Sequence, residues 1–547
     1  MSRVVVIGAG VAGLASAGLL AREGHEVLVL EKNERVGGRA GVIEDRGFRF
    51  DTGPSWYLMP EVFDHFFELM GTSTAEQLSL QTLDPGYAVF AEPQGRKPAE
   101  RVVVPHGRGA ASALFESLEP GAGRALNRYL DEAQRASELA NKYFLYNSFE
   151  DFRSLLTREV LGAAPSLARL LGTSLAKHVE RRFEHPVLRQ ILGYPAVFLA
   201  TRPEAAPAIY HLMSSLDLEQ GVQYPRGGFW RLVERIAALA EDAGAQVVTG
   251  AKVISIDTEG SGSEGRSRVR AVRWTDAEGL AHECRADVVV SAADLHHTET
   301  RLLQAKDRTY PEAWWRRRTS GPGAVLAMLG VEGEIPQLGH HSLFFTRDWE
   351  KNFDAIFSRN PHVPHPASAY VCKPSATDPE VAPEGHENLF VLVPVPADVG
   401  LGAGGKDGSG SPDVELVTDR AIEQIAAWAQ VPELAKRVVV RHTIGPADFA
   451  RDYNSWRGGV LGPAHVLSQS AMFRAGNESK KVEGLFYAGA TTSPGVGVPM
   501  CLISAEIVLK RLRGDTSAGP LPHDALAAAG PASTFPAELL RAEQAVS

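Results

Sequence analysis

The chain opens on an uninterrupted apolar run, Val4-Val5-Val6-Ile7, and continuous rather than alternating hydrophobicity predicts a strand buried on both faces. An Ala/Leu-rich stretch over about 11–22 predicts a helix stopped near Gly24, followed by a second buried strand, Val27-Leu28-Val29-Leu30, that ends at Glu31. In the centre, Trp230, Val233, Ile236, Ala237 and Ala240 recur at helical spacing, residues 245–248 and 253–256 read as strands, and 260–268 reads as a flexible hairpin turn. Near the other end, 485–488 is a strand, Gly489-Ala490 a tight turn, 494–499 a glycine-bearing loop and about 500–512 a helix. Between these stretches, Leu167, Leu171, Leu175, Val179 and Phe183 recur every four residues after Pro165, which is suited to the first position of a helix. Arg169, Lys177, Arg181 and Arg182 are interleaved with them.

Composition narrows the classes. At 547 residues and 44% hydrophobic, the chain is too long for one core, and roughly 150 residues per domain gives two to four domains. A net charge of −10 argues against nucleic acid as a partner. Only Cys284, Cys372 and Cys501 occur, which excludes a disulfide scaffold, a zinc ribbon and an iron–sulfur cluster and suits a reducing cytoplasm. Residues 4–21 carry no charge, yet Gly8, Gly10, Gly13 and Gly18 interrupt them, so they read as strand, turn and helix rather than as a signal peptide or membrane span.

The turn between the first strand and helix is Gly8-Ala9-Gly10-Val11-Ala12-Gly13, a dinucleotide fingerprint in its full strand–helix–strand context. Gly8 allows the tight turn, Gly10 the approach of a pyrophosphate, and Gly13 close packing of helix on strand. Glu31 is placed to accept hydrogen bonds from ribose hydroxyls, and an acid there argues against a 2′-phosphate. FAD or NAD remains at this point. The next segment separates them: Gly37-Gly38-Arg39 and then Asp51-Thr52-Gly53-Pro54 supply a second glycine-lined passage, with Arg39 positioned for a phosphate, which a flavin dinucleotide uses and a nicotinamide enzyme does not need.

Four stretches, 4–41, FRFDTGPSW (48–56), YPRGGFWRLVERI (224–236) and GLFYAGATTSPGVGVPMCLISAEIVLKRL (484–512), with two further ones at 286–298 and 373–396, resemble the bacterial-type phytoene desaturase family of the flavin amine oxidase superfamily. The resemblance implies an α/β protein. Its parts are a discontinuous Rossmann-type FAD-binding domain (1–106, 223–300 and 440–513, with the first substrate-domain strands near 73–106), a helical lid and membrane-associating insert (107–222), a mixed α+β substrate domain (301–439) and a mobile tail (514–547). It adds Val248 as an adenine-side contact and Gly489, Gly497 and Val498 as contacts to the flavin, the last two at a helix N-terminus facing the pyrimidine edge. The amine oxidase branch usually carries Gly-Asp at the turn; Gly489-Ala490 here disfavours an amine substrate.

The implied activity is desaturation of an acyclic carotenoid, phytoene towards lycopene, by hydride transfer to FAD and loss of a neighbouring proton, with oxygen or a quinone as acceptor. Diapophytoene desaturase, carotenoid ketolase and isomerase activities are the close competitors. A flavin-free prenyl-lipid carrier of the GDP-dissociation-inhibitor fold is the competitor of another class, which the intact fingerprint disfavours. The partners are a long apolar polyene and the cytoplasmic face of a bacterial membrane, bound peripherally; a homo-oligomer is compatible with the sequence. Read alone, the basic amphipathic stretch packs on the domain beneath it at least as readily as it docks on a bilayer; a lipid-soluble substrate favours docking, as does the local excess of eight Lys/Arg over three Glu in 152–202.

No catalytic residue is assigned. Asp151, Arg153, Asp217 and Glu219 read as surface charges. His296-His297 and His340-His341 are neighbours whose side chains should diverge, His362 and His365 lie in a proline-rich loop, and no metal site is expected. Cys501 reads as a packing residue, Trp56 and Tyr57 as either channel or core, 398–412 as a disordered Gly/Ser-rich loop, and the chain has no internal repeat.

Overall fold

The computed structural model describes residues 1–95, 98–260 and 265–526. A five-stranded, wholly parallel sheet is assembled from β1 (Arg3–Ile7), β2 (Glu26–Leu30), β3 (Gln246–Val248), β4 (Val288–Ser291) and β5 (Leu485–Tyr487), in the order β5-β4-β1-β2-β3. The continuous apolar runs are explained by its two covered faces. Val4, Val6, Val27 and Val29 point to one side, beneath helices α1 (Val11–Arg22), α2 (Phe229–Asp242) and α3 (Val498–Arg513). Val5, Ile7, Leu28 and Leu30 point to the other, against an antiparallel sheet of Lys252–Glu259, Ser267–Thr275 and Ala281–Arg285. The hairpin turn expected at 260–268 lies partly outside the described residues; the strands flanking it do pair antiparallel.

α1 sits directly on the turn that precedes it. A Cβ at Gly13 would lie 1.9 Å from the Gly8 carbonyl oxygen, and Gly8 itself has φ +94°. The helix therefore reaches this depth only with glycine at 13.

A second, seven-stranded sheet runs Val438–Ile444, Gly323–Glu332, His386–Val395, Ala369–Cys372, His341–Phe345, Tyr87–Ala91, Arg101–Val104. It is antiparallel except where His341–Phe345 pairs with Tyr87–Ala91. Its outer face is covered by Pro412–Trp428, whose Val414, Val417, Ile422 and Ile425 fill a core with Val325, Leu329 and Val391. Val438–Ile444 crosses the boundary expected at 439/440, because it completes this sheet's edge. The Gly/Ser-rich stretch is a correction too. Residues 398–412 are ordered: Asp398 caps Gly400 within the loop, Thr443 N–H of the edge strand donates to the Gly405 carbonyl and Asp407 N–H to the Arg441 carbonyl, and Gly404 N–H donates to Asp448 of the next helix.

Helices Arg108–Leu118, Ala122–Tyr143, Arg158–Gly172, Leu175–Glu180 and Pro186–Gly193 form a cap. The four-residue apolar register expected over 167–183 is split. Pro165 lies inside the first of the two helices involved rather than at its start, and Ser174 caps the second. Leu175, Val179 and Phe183 are buried against Phe115 and Tyr129, while Leu171 stays 40% exposed. Residues 514–526, expected to be mobile, pack down: the buried Lys510 ammonium donates to the Tyr146, Ser517 and Gly519 carbonyls, and Leu521 and Leu526 join the core below α3. Residues 527–547 of the expected tail lie outside the described residues. No helix among the described residues is long and apolar enough to cross a membrane.

Candidate active site

A cavity of about 690 Å³ runs from the carboxyl ends of β1 and β2, past the amino end of α3, to the inner face of the seven-stranded sheet and the helical cap. Ligands of open α/β sheets bind at that end of the strands. Gly8, Gly10, Glu31, Gly37, Gly38, Arg39, Gly53, Gly489, Gly497 and Val498 line it. Gly13 and Val248 do not. Gly13 is closed over by the Gly8 carbonyl, and Val248 accepts a hydrogen bond from Glu31 N–H while Ala251, Lys252 and Val253 form the wall beyond it.

The motifs meet by backbone approach. The Gly37 amide donates to the Ala9 carbonyl at 2.7 Å, and a Cβ at Gly53 would lie 2.1 Å from the Arg39 carbonyl oxygen. Asp51 accepts from the Phe229 and Trp230 amides at 2.8 and 3.0 Å, so it caps α2; a Cβ at Gly228 would sit 2.4 Å from its carboxylate. Burial pushes the Asp51 carboxyl up to about 6. FRFDTG and YPRGGFW, far apart in the chain, thus serve one joint between loop and helix.

The site fits a flavin dinucleotide on three counts. Gly10 precedes a 12-residue helix without a side-chain cap, leaving its first amides available to an anion. Glu31, 5% exposed, is fixed by the Ala9 and Asn33 amides at 2.7 and 2.9 Å. Arg39 is held by Ser455 at 2.8 Å beside the Tyr453 ring, and its buried Nε has no partner. Sequence reasoning missed Ser455, Tyr453 and Asp294; the buried Asp294 receives the His296 and Trp456 amides at the cavity wall. Nothing local in the sequence marks them.

The far part of the cavity is apolar, with Trp56, Phe198, Leu326, Phe345, Trp349 and Leu392 among its walls. Trp56 is a channel residue and Tyr57 a core residue, 0% exposed and stacked on Phe63 at 4.1 Å. Behind Trp56, His340 and His341 do not diverge as expected. Their rings lie 4.6 Å apart, and with Cys372 they form a buried group whose ligand-type atoms are within 4.8 Å of one another. His340 sits just outside the strand, so strand alternation does not separate the two. Their Nδ1 atoms bond Thr377 and Tyr370, and burial keeps both rings neutral, His340 at about 3. Cys501 lines the cavity, its thiol pushed up to about 11 by burial. His296 and Glu312 pair at 3.0 Å, and His362 lies exposed in its loop.

Asp151 and Arg153 pair with each other near the surface, and Glu219 pairs with Arg108. Asp217 overturns the surface expectation. It is 5% exposed and receives the Tyr194 and Tyr87 hydroxyls at 2.6 and 3.1 Å, and burial pushes it up to about 7. The folded state therefore binds a proton that the unfolded state releases near pH 4. Stability from this group is full below that value and declines as pH rises to about 7, by on the order of 4 kcal/mol at most. Asp217→Asn keeps an acceptor for both phenols, so its melting temperature should fall less than the wild type's between pH 4.5 and 8. Parallel slopes in the two proteins would refute this assignment.

Residues 11–508 match the family described as flavin containing amine oxidoreductase. The chain is 39% identical to a carotenoid 3,4-desaturase of Haloarcula japonica, covering 94% of this chain and 98% of the relative. It is 32% identical to a zeta-carotene-forming phytoene desaturase of Myxococcus xanthus, covering 93% of each. Among solved structures, an oxidoreductase from Methanosarcina mazei shares the fold, with a TM-score of 0.58 at 16% identity over 93% of this chain and all of that one.

Proposed function

The chain belongs to the carotenoid desaturases of the flavin-containing amine oxidoreductase family, and on that premise we propose that it dehydrogenates an acyclic carotenoid, phytoene towards lycopene, at the surface of a membrane. It is an FAD-dependent oxidoreductase, so the lipid-carrier reading is set aside. The observation that carries the substrate reading is one continuous cavity, glycine-lined at the sheet and apolar beyond it, which admits a long molecule without heteroatoms beside a dinucleotide.

In this reading the parallel sheet with its glycine turn is a Rossmann-type unit. Gly8, Gly10 and Gly13 shape the pyrophosphate turn, Glu31 takes the ribose, Arg39 a phosphate, and Gly53 and Gly489 let backbone approach the flavin. Val248 contributes from the strand behind Glu31. When bound, FAD supplies a two-electron acceptor for hydride from an allylic carbon. The chain's own work is to hold the polyene dry and close, through walls such as Trp56, Phe198 and Leu326. Gly497 and Val498, at the uncapped amino end of the 16-residue α3, place positive partial charge where negative charge accumulates. No side chain is needed to stabilise an oxyanion, because the hydrocarbon has no carbonyl or other heteroatom to carry one. Oxygen or a quinone completes the cycle.

The test is anaerobic mixing of the flavin-loaded protein with liposomes carrying phytoene. Loss of the oxidised flavin band together with new structured polyene bands is the expected result. Flavin that stays oxidised with phytoene but is reduced by a more unsaturated acyclic carotenoid would replace phytoene with a later substrate. The Haloarcula relative, named for 3,4-desaturation and the more similar of the two, favours that second reading.

Membrane docking is supported by where apolar side chains stay exposed. Phe152, Leu156 and Leu161 are 53%, 67% and 57% exposed and flank Phe149, Leu167 and Leu171 of the cavity wall. Leu467 and Phe473, 43% and 58% exposed, flank Ser470–Met472 of the same wall. The docking face is then two short apolar segments next to cavity-lining residues instead of one basic amphipathic helix. Leu156→Glu combined with Phe473→Glu should reduce co-sedimentation with anionic vesicles at least tenfold while flavin content holds. Unchanged sedimentation would leave this face without a membrane role.

A further inference from the structure

His465 is 4% exposed and belongs to none of the motifs above. Its backbone amide is fixed on the Leu199 carbonyl of the helical cap. Its ring spans two parts of the cavity wall. Nε2 accepts from the Val496 amide at 3.3 Å, and Nδ1 lies 2.8 Å from the hydroxyl of Tyr210, which comes from the cap segment Ala208–Leu212. An acceptor role for Nε2 leaves the proton of a neutral imidazole on Nδ1, so Nδ1 donates to Tyr210. Burial, reinforced by Arg474, keeps the ring neutral, and the tautomer is therefore set by its two partners.

The ring also rests on Gly495. A Cβ there would lie 2.2 Å from His465 Cε1 and 2.6 Å from Nε2. Packing from one side and a hydrogen bond from the other thus fix residues 495–496, immediately before Gly497 and Val498. All of Tyr210, His465, Val496, Gly497 and Val498 line the cavity.

We infer that Tyr210 and His465 are positioning residues that hold the 495–498 loop against the flavin and thereby set how readily the flavin is reduced. This rests on the proposed reading that Gly497 and Val498 face the flavin. The loop's amides stabilise negative charge only while their distance and direction are held, because charge–dipole energies fall steeply with misalignment. Releasing the loop disfavours the reduced, anionic flavin. Because Tyr210 belongs to the cap, the setting is coupled to the part of the protein that encloses the polyene.

The experiment measures the flavin midpoint potential of the holoenzyme against reference dyes, without substrate. Four proteins are compared: wild type, His465→Phe, Tyr210→Phe and Val498→Glu. His465→Phe keeps a ring against Gly495 and loses both hydrogen bonds. It should shift the reduction equilibrium about tenfold towards oxidised flavin, roughly 30 mV for two electrons. Tyr210→Phe removes one hydroxyl, leaves the fold intact, and should shift it the same way by about threefold; it carries the test if His465→Phe does not fold. Val498→Glu brings a negative charge to the loop and reports whether the loop faces the flavin at all. A shift in Val498→Glu with wild-type potentials in the other two would overturn the positioning role alone. No shift in any variant would overturn it together with the reading beneath it.

Discussion

Gly10→Val is expected to give a folded protein that carries no flavin. Gly10 has φ −73° and ψ 176°, an extended conformation open to any residue, and a Cβ there would meet no protein atom within 4 Å. The apo fold should therefore lose little, within about 1 kcal/mol. The valine side chain instead projects into the cavity over the first amides of α1, where a pyrophosphate must come within hydrogen-bonding distance of the backbone. The check is the flavin-to-protein absorbance ratio after saturation with FAD, alongside melting of both proteins in the apo state. Apo must be compared with apo, since a ligand bound only by the native state raises the melting temperature by mass action. Wild-type flavin content would sink the assignment of this turn.

Gly13→Ala, three residues on, should do the opposite: it destroys the fold before binding can be asked about. The added methyl would lie 1.9 Å from the Gly8 carbonyl oxygen, 3.0 Å from its carbon and 3.2 Å from the Ala292 Cβ. None of these is the tip of a flexible side chain. To relieve the clash α1 must lift off β1, opening the core shared by Val4, Leu14, Ala17 and Ile503. A loss on the order of 4 kcal/mol or more follows, in the range reserved for core overpacking and backbone strain. Soluble yield and apo melting temperature report it, and a Gly13→Ala protein that melts with the wild type would mean that the helix does not sit at this depth. The two variants divide one glycine motif into a residue that makes room for a ligand and one that makes room for a helix.

That division was readable from sequence because spacing within a continuous strand–turn–helix fixes which glycine faces what. The same holds for the apolar runs of β1 and β2, whose two-sided burial needs no alternation. What sequence left unread depends on contacts distant in the chain. Val248 lies on the expected strand, yet the wall is built three to five residues later, by Ala251–Val253, because the strand stops short of the cavity. The four-residue apolar register at 167–183 looks continuous until Ser174 caps a second helix and turns Leu175, Val179 and Phe183 inward. Asp217 looks like any acid before a motif until two tyrosines from 23 and 130 residues away close over it. His465 carries no local signal. Its meaning comes from Tyr210 and Val496, 255 residues before it and 31 after it.

The order of strands in the parallel sheet also governs how the molecule is made. β1 lies between β2 and β4, and β4 is flanked in turn by β5 at 485–487. β1 and β2 therefore gain their outer edge partners only when residues 246–291 are made, and the open edge of β4 waits until 485–487 follow. At about 5–20 residues per second, that last wait is roughly 10–40 s. During it the nascent chain exposes the kind of unpaired, hydrophobic edge on which aggregation is templated. Slower, cooler expression should therefore raise the soluble fraction of this protein, checked by the soluble yield at two temperatures.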